Sequence, residues 1–269
     1  MRVEKSGGLV SNDHGDGGEL RPSEGWGVIH LFLRTERGGD ASAIVDALAR
    51  FSATDPNQAI AFSVLGGRAD LGLMLLSPEL DALDRIVKEI TAGPVACLDS
   101  FVSLTEHGEY TTTEGEERAR LETAGEADVE GTLARWRDRM ALYKDARLHP
   151  RLPAKRFICF YPMSKSRVPG ANWFDLPFDE RKILMRGHAT TGRTYAGRVL
   201  QLITGATGLD DWEWGVTLLA DDPVAVKEIV YEMRFDAASA AYALFGPFWV
   251  GLVMEPDAAF RRAGLRVDA

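Results

Sequence analysis

Short apolar runs alternate with amphipathic stretches along most of the chain. Residues 27–33, Gly-Val-Ile-His-Leu-Phe-Leu, form an apolar run of strand length. Residues 40–51 follow with Ile44, Leu48 and Phe51 on one helical face. Residues 59–65 and 69–76 read as two strands around a Gly66-Gly67 turn, residues 78–90 as a helix and residues 95–104 as a strand. The order β-α-β-β-α-β is the ferredoxin-like pattern.

The second half repeats the run of elements. The periodicity predicts a strand over 156–161, a long helix over 177–202, a strand over 212–219, a helix over 223–233 and a last strand over 248–254. One internal match supports a repeat. The stretch from Asp70 to Pro78 resembles that from Trp214 to Pro223, and each leads into a helix carrying Lys-Glu-Ile, at Lys88 and at Lys227. The chain therefore reads as α+β, with two tandem ferredoxin-like domains at residues 25–105 and 154–256. Residues 1–24 read as a disordered polar leader, 106–153 as a linker with an acidic segment and a short helix over 131–143, and 257–269 as a tail.

Composition narrows the classes. Apolar residues make up 45% of the 269, enough for a substantial core, and the formal charge is −9. A net acidic chain does not look like a nucleic-acid binder. No stretch approaches the length of apolar sequence that spans a bilayer, and the N-terminus lacks the apolar core of a signal peptide. Cys97 and Cys159 each sit in an apolar run and read as buried, reduced thiols of a cytoplasmic protein.

Charge is unevenly spread. Between Arg147 and Arg198 lie eleven basic residues against Asp175, Asp179 and Glu180, which suggests a site for a small polyanion or, more plainly, an exposed helix face. Leu184, His188, Thr191, Tyr195, Val199 and Leu202 fall at helical spacing and form one inward stripe. His188 lies in it, beside Gly187, Gly192 and Gly197, where a flat ligand or another backbone could approach. It reads either as an axial ligand of haem iron or as a core histidine satisfied by a hydrogen bond. Tyr161-Pro162-Met163-Ser164-Lys165 ends a strand, where Tyr161 can face a cavity and become a radical, and Lys165 can pair with a carboxylate or supply a proton. The plainer reading is a half-buried tyrosine beside a turn lysine. No His, Cys, Asp and Glu cluster has zinc spacing.

Several ordered strings carry a family resemblance. They are Cys159-Phe160-Tyr161-Pro162-Met163-Ser164-Lys165, Asn172-Trp173 with Leu176-Pro177, Gly192-Arg193-Thr194-Tyr195-Ala196-Gly197, and Gly208 through Val216. Glu232 through Ala240 and Phe245-Gly246-Pro247-Phe248 complete them. The block from Phe157 to Gly251 resembles the haem-binding half of the chlorite dismutase family and is most similar to its coproheme decarboxylase branch.

The resemblance implies an α/β barrel of the dimeric α+β type, a cytoplasmic homopentamer, and haem in the C-terminal half. It makes His188 the proximal iron ligand, Tyr161 the radical-forming residue and Lys165 the residue at the reacting propionate. Met163 would lie at the porphyrin edge, while Arg147, Tyr110, Arg234 and Ser239 would hold propionates or line the pocket. Gln201 would occupy the distal face, where true chlorite dismutases carry an arginine. His107 and His149 both stay open as a distal base. The implied reaction uses hydrogen peroxide to convert Fe-coproporphyrin III (coproheme) to haem b, through two decarboxylations in which Tyr161 abstracts hydrogen from a propionate. The porphyrin is both substrate and redox cofactor, and a transient contact with coproporphyrin ferrochelatase follows by pathway logic. The alternatives are a haem-binding or haem-delivery protein, a chlorite-degrading or peroxidase-like enzyme, and a structural module without haem.

Overall fold

The computed structural model describes residues 19–268. Its first unit comprises β1 (Gly27–Thr35), α1 (Ser42–Ala53), β2 (Gln58–Val64), β3 (Leu71–Ser77), α2 (Leu80–Thr91) and β4 (Val95–Thr105). Two helices follow, α3 (Glu114–Thr123) and α4 (Val129–Leu148). The second unit opens with β5 (Phe157–Lys165), the hairpin β6 (Arg167–Val168) and β7 (Ala171–Asn172), and α5 (Phe178–Arg193). It continues with β8 (Val199–Gly205), β9 (Trp214–Ala220), α6 (Pro223–Met233), α7 (Ala237–Tyr242), β10 (Ala243–Phe245) and β11 (Trp249–Met254), and α8 (Pro256–Arg262) follows.

The first unit's strands run β4-β1-β3-β2 and the second unit's β8-β9-β5-β11, joined antiparallel. With strands numbered within each unit, these are one order read in opposite directions, 4-1-3-2 and 2-3-1-4, as the repeat predicted. The sheets join twice, through β2 with β11 and through β4 with β8, and so close an eight-stranded barrel. The second seam is short, pairing only Leu104 with Gly205 and Thr105 with Thr204. Closure removes the free edges of both sheets.

Side-chain alternation along the strands sorts the core into three layers. Inside the barrel lie Val28, Phe32, Phe62, Phe101, Ile158, Phe160, Leu202, Leu219 and Trp249. Phe32 stacks on Trp249 with centroids 4.0 Å apart, so the aromatic centre binds the two units together. Outside the first unit, Leu31, Leu33, Leu71, Leu73 and Leu75 pack against α1 and α2. Outside the second, Cys159, Tyr161, Val199, Val216 and Leu218 face Ala225, Val226 and Ile229 of α6.

The structure corrects several sequence expectations. The long helix over 177–202 is α5 followed by β8. The helix ends at Arg193, and the turn before Val199 contains Gly197 at φ 82°, a backbone region that glycine enters freely. Leu184, His188 and Thr191 keep their shared helical face, but Leu202 points into the barrel and Val199 out of it. The acidic linker contains a true helix, α3, whose Thr113 and Glu116 form a capping box. The short helix over 131–143 extends to α4, Val129–Leu148.

Strand β5 does not end at Tyr161. It runs through Pro162 to Lys165, because the Pro162 carbonyl still accepts a hydrogen bond from the Gly246 amide. Cys159 is buried but Cys97 is exposed, since β4 is uncovered at residues 96–100; both thiols are free. The tail is part of the core, with Ala259 and Phe260 fully buried against the first unit. Of the leader, residues 1–18 lie outside the described residues. Within 19–24, the Leu20 amide is bonded to Asp81 and its carbonyl accepts from the Leu80 amide, while Glu24 pairs with Lys144.

Candidate functional site

On the second unit, the space between sheet and helices is not filled. A cavity of about 460 Å³ lies there, within the ~300–1,000 Å³ range of small-molecule sites. Its sheet wall is built by period-two alternation: Tyr161, Met163 and Lys165 from β5, Gln201 and Ile203 from β8, and Trp214, Val216 and Leu218 from β9. Its helical wall carries Met185 and His188 from α5, Ile229 and Met233 from α6 and Ser239 from α7. Tyr110, on the loop before α3, Arg147 near the end of α4, and Trp173 close the rim. The lining mixes apolar side chains with Arg147, Lys165, His188, Gln201 and Ser239, which suits a hydrophobic ligand that carries carboxylates.

His188 is held by a carboxylate. Asp236 caps α7 by accepting the Ser239 amide at 3.0 Å, and its other oxygen accepts from His188 Nδ1 at 3.0 Å. Burial works against the ionised form of Asp236, but the bonds from His188 and Ser239 outweigh it and hold its carboxyl below the ordinary range. An ionised carboxylate only accepts, so Nδ1 carries a proton and Nε2 is the ring nitrogen left to face a ligand. Metal-ligating histidines are oriented in this way. Among the described residues no group of three or more His, Cys, Asp and Glu could hold a bare metal ion. An iron at His188 would have to bring its other ligands with it, as porphyrin iron does.

Tyr161 is buried, its ring stacked on Phe248 at 4.5 Å, and burial raises its phenol pKa well above the ordinary value. Lys165 is also buried. Its ammonium donates to the Ala238 carbonyl at 3.1 Å and lies 4.4 Å from the centre of the Trp173 ring. Burial lowers its pKa to about 8, although Asp236 and Glu213 act in the opposite sense. Arg147 reaches the Ile203 carbonyl at 3.5 Å, and its Nε is buried with no partner. Gln201 donates from Nε2 to the Gly192 carbonyl at 3.0 Å, and the absence of a side chain at Gly192 lets the end of α5 come this close to β8. Tyr110 accepts from Arg181 Nε at 3.2 Å and stacks on Phe178.

The cavity thus brings together Tyr161, Met163, Lys165, His188, Gln201, Arg147, Ser239 and Tyr110. Arg234 does not join them. It caps the exposed end of α6, with its guanidinium over the Tyr231 ring at 5.2 Å. The basic segment is largely dispersed as well. Arg151 pairs with Asp55, Lys155 with Asp221, Arg167 with Glu213, Lys182 with Glu116 and Arg198 with Glu228, leaving Arg147 and Lys165 as its cavity residues. Of the two candidate bases, His107 lines the cavity, whereas His149 is exposed and bonded to Asp145. Sequence reasoning did not single out Asp236, Trp173, Trp214 or Glu106. For Asp236 the signal was there, as a helix-capping aspartate inside a recognised string.

A barrel of two ferredoxin-like units, with a slot beneath the helices of one unit and a single carboxylate-backed imidazole inside it, defines a ligand-binding protein of the dimeric α+β barrel class. The chlorite dismutase family model matches residues 37–254, and the chain belongs to that family. A coproheme decarboxylase of Thermus thermophilus is 42% identical over 201 residues, covering 73% of this chain and 72% of that protein. A candidate heme-binding protein of Natronomonas pharaonis is 39% identical over 252 residues, covering 87% of this chain. The chain spans only 40% of that relative's length. Among solved structures, a heme-binding protein from Thermus thermophilus matches with TM-score 0.73 at 35% identity, over 90% of this chain and 96% of that one. A mutant chlorite dismutase from Candidatus Nitrospira defluvii shares the fold, with TM-score 0.63 at 14% identity over 90% of this chain and 97% of its own.

Proposed function

We propose that this protein is a peroxide-dependent coproheme decarboxylase, binding Fe-coproporphyrin III and releasing haem b. The observation that carries the reading is the convergence on one cavity of Tyr161 and Lys165 from β5 with His188 from α5. The similarity to the Thermus coproheme decarboxylase supports the substrate class.

Bound coproheme, with hydrogen peroxide, supplies the two-electron oxidation that each decarboxylation needs. His188 would hold the iron through Nε2, with Asp236 orienting the ring through Nδ1. Arg147, Ser239 and Tyr110 give the propionates cationic and hydroxyl partners. Tyr161, kept as the neutral phenol by burial, would give its electron and proton to the oxidising equivalents that coproheme and peroxide supply, and would then take a hydrogen atom from a propionate β-carbon. Lys165 holds the carboxylate that departs. Each round converts one propionate, one proton and one hydrogen peroxide into a vinyl group, carbon dioxide and two waters. Gln201 places a neutral amide on the sheet wall at the position where the family resemblance gives chlorite dismutases an arginine, which disfavours chlorite chemistry. Assembly as a cytoplasmic homopentamer and contact with coproporphyrin ferrochelatase belong to the same reading and rest on family resemblance.

The test is Tyr161→Phe. It keeps the ring packing on Phe248 and should bind coproheme like the parent, yet fall by two orders of magnitude or more in decarboxylation, since it removes a group that acts in the chemistry (~10²–10⁴ for such groups). The porphyrin mass after peroxide addition is the readout. Turnover at the parental rate would remove Tyr161 from the mechanism.

A further inference from the structure

One carboxylate on the cavity wall has no part in the mechanism above. Glu106 leaves the end of β4 half-buried on the sheet side of the cavity. Its Oε1 accepts a hydrogen bond from Trp214 Nε1 on β9 at 3.1 Å. Its Oε2 lies against Gly205 of β8, where a Cβ would come within 2.2 Å of it, so a larger residue there would displace the carboxylate from this position. Arg147 on α4 is the cation that acts on it, and the other charged groups facing it are His107 and Glu109 on its own loop and Glu24 beyond them. Burial raises the Glu106 pKa above the ordinary carboxylate value, and Glu109 adds to the rise; the Trp214 bond, Arg147 and His107 act against it.

Glu106 also borders a second cavity. This one, of about 330 Å³ and bordered by Glu24, Thr105 and Leu209 as well, shares Glu106, His107 and Thr207 with the main one. A flat ligand held from the helical wall by His188 turns its other face toward the sheet, where Glu106 is. His107 borders the same space, but its Nδ1 meets only the carbonyl of the adjacent Gly108, at 3.2 Å, whereas Glu106 is held across the chain by the Trp214 indole of β9 and packs against Gly205 of β8.

We propose that Glu106 is the proton acceptor for a small peroxide that reaches the sheet side of the main cavity by way of this second one. One O–H bond of hydrogen peroxide breaks, its proton goes to Glu106 Oε2, and the electron pair stays on oxygen as the hydroperoxide anion. No electron is transferred in this step. The proposal rests on the coproheme reading for the identity of the oxidant.

Two readouts test it apart from turnover. The Trp214 indole N–H resonance of the ligand-free protein should titrate with a midpoint above the ordinary glutamate value of 4.5, and Glu106→Gln, which still accepts from Trp214, should abolish that titration. Hydrogen cyanide must also lose a proton on binding to iron and is not turned over. Its rate of binding to coproheme-loaded protein should fall as pH drops through the same midpoint. Glu106→Gln should slow it ~10²-fold or more, the scale of general acid–base effects, with coproheme affinity unchanged. His107→Gln should keep both readouts, with their common midpoint displaced upward by the loss of the His107 charge. An unchanged cyanide rate and pH profile in Glu106→Gln, or a loss that follows His107→Gln instead, would overturn the proposal. Glu106-dependent cyanide binding in a protein that releases no carbon dioxide would support the proton acceptor and remove the decarboxylase reading. Carbon dioxide release by Glu106→Gln at the parental rate would remove the acceptor alone.

Discussion

At the scale of single residues, the local sequence announced the chemistry of some groups but not their partners. Tyr161, Met163 and Lys165 alternate on one strand, so their common face follows from period two once the strand is known to continue past Pro162. The Asp236 partner of His188 lies 48 residues away and belongs to a short helix, so no local spacing could pair them. Arg234, by contrast, was placed by resemblance alone, and its position at the end of α6 turns it to solvent. Lys165 carries a pH prediction. With a pKa lowered to about 8, its ammonium is fully charged only below that value, and a bound propionate stabilises the charged form. Coproheme affinity should therefore fall as pH rises through about 8. Tyr161 and Tyr110, both raised, do not titrate in that window. Binding titrations across this range should show the fall in the parent and a flat response in Lys165→Met; parallel curves would deny Lys165 its contact with a carboxylate.

At the scale of elements, the strands and helices of the first unit were legible because each is apolar on the faces it buries. The long helix of the second unit was misjudged for a physical reason. Tyr195 does pack inward, and Val199 and Leu202 happen to continue its 3.6-residue spacing across a turn that only the Gly197 backbone reveals. Helix α8 was equally hidden, since a seven-residue helix after the last strand gives little periodicity. Its burial makes a clear prediction. Phe260 is fully buried among Leu and Ile side chains of the first unit, so Phe260→Ala should cost ~3–5 kcal/mol of unfolding free energy. A denaturant titration would measure this, and a loss below ~1 kcal/mol, the scale of a surface substitution, would mean that α8 is not docked there.

For the whole molecule, the internal repeat gave two units, but the barrel closes through pairings no single unit contains. His30 links the two units across the barrel interior rather than at a seam. It lies inside the barrel on β1, stacks on Phe160 of β5 with centroids 4.0 Å apart, and is 3.0 Å from Thr217 of β9. Complete burial lowers its pKa from 6.5 to about 3. Between those values the unfolded chain binds a proton that the folded one does not. His30 therefore subtracts stability as pH falls below 6.5, by about 1.4 kcal/mol per pH unit, and contributes no slope above it. Stability curves measured between about pH 6 and 5 should be shallower by that amount in His30→Phe. Equal slopes would mean that His30 takes up its proton in the folded barrel.

The same whole-molecule view explains the division of labour between the halves. Both sheets present an outer face to helices; in the first unit α1, α2 and α8 fill that space, and in the second it is left as the slot that holds Tyr161, Lys165 and His188. The most direct test of that slot as a decarboxylase site is to load the protein with ferric coproporphyrin III, add hydrogen peroxide stepwise and follow the porphyrin by mass. The account predicts loss of two carboxyl groups in succession, one per equivalent of peroxide, ending at haem b. Tight binding with bleaching, or with no change in mass, would contradict it.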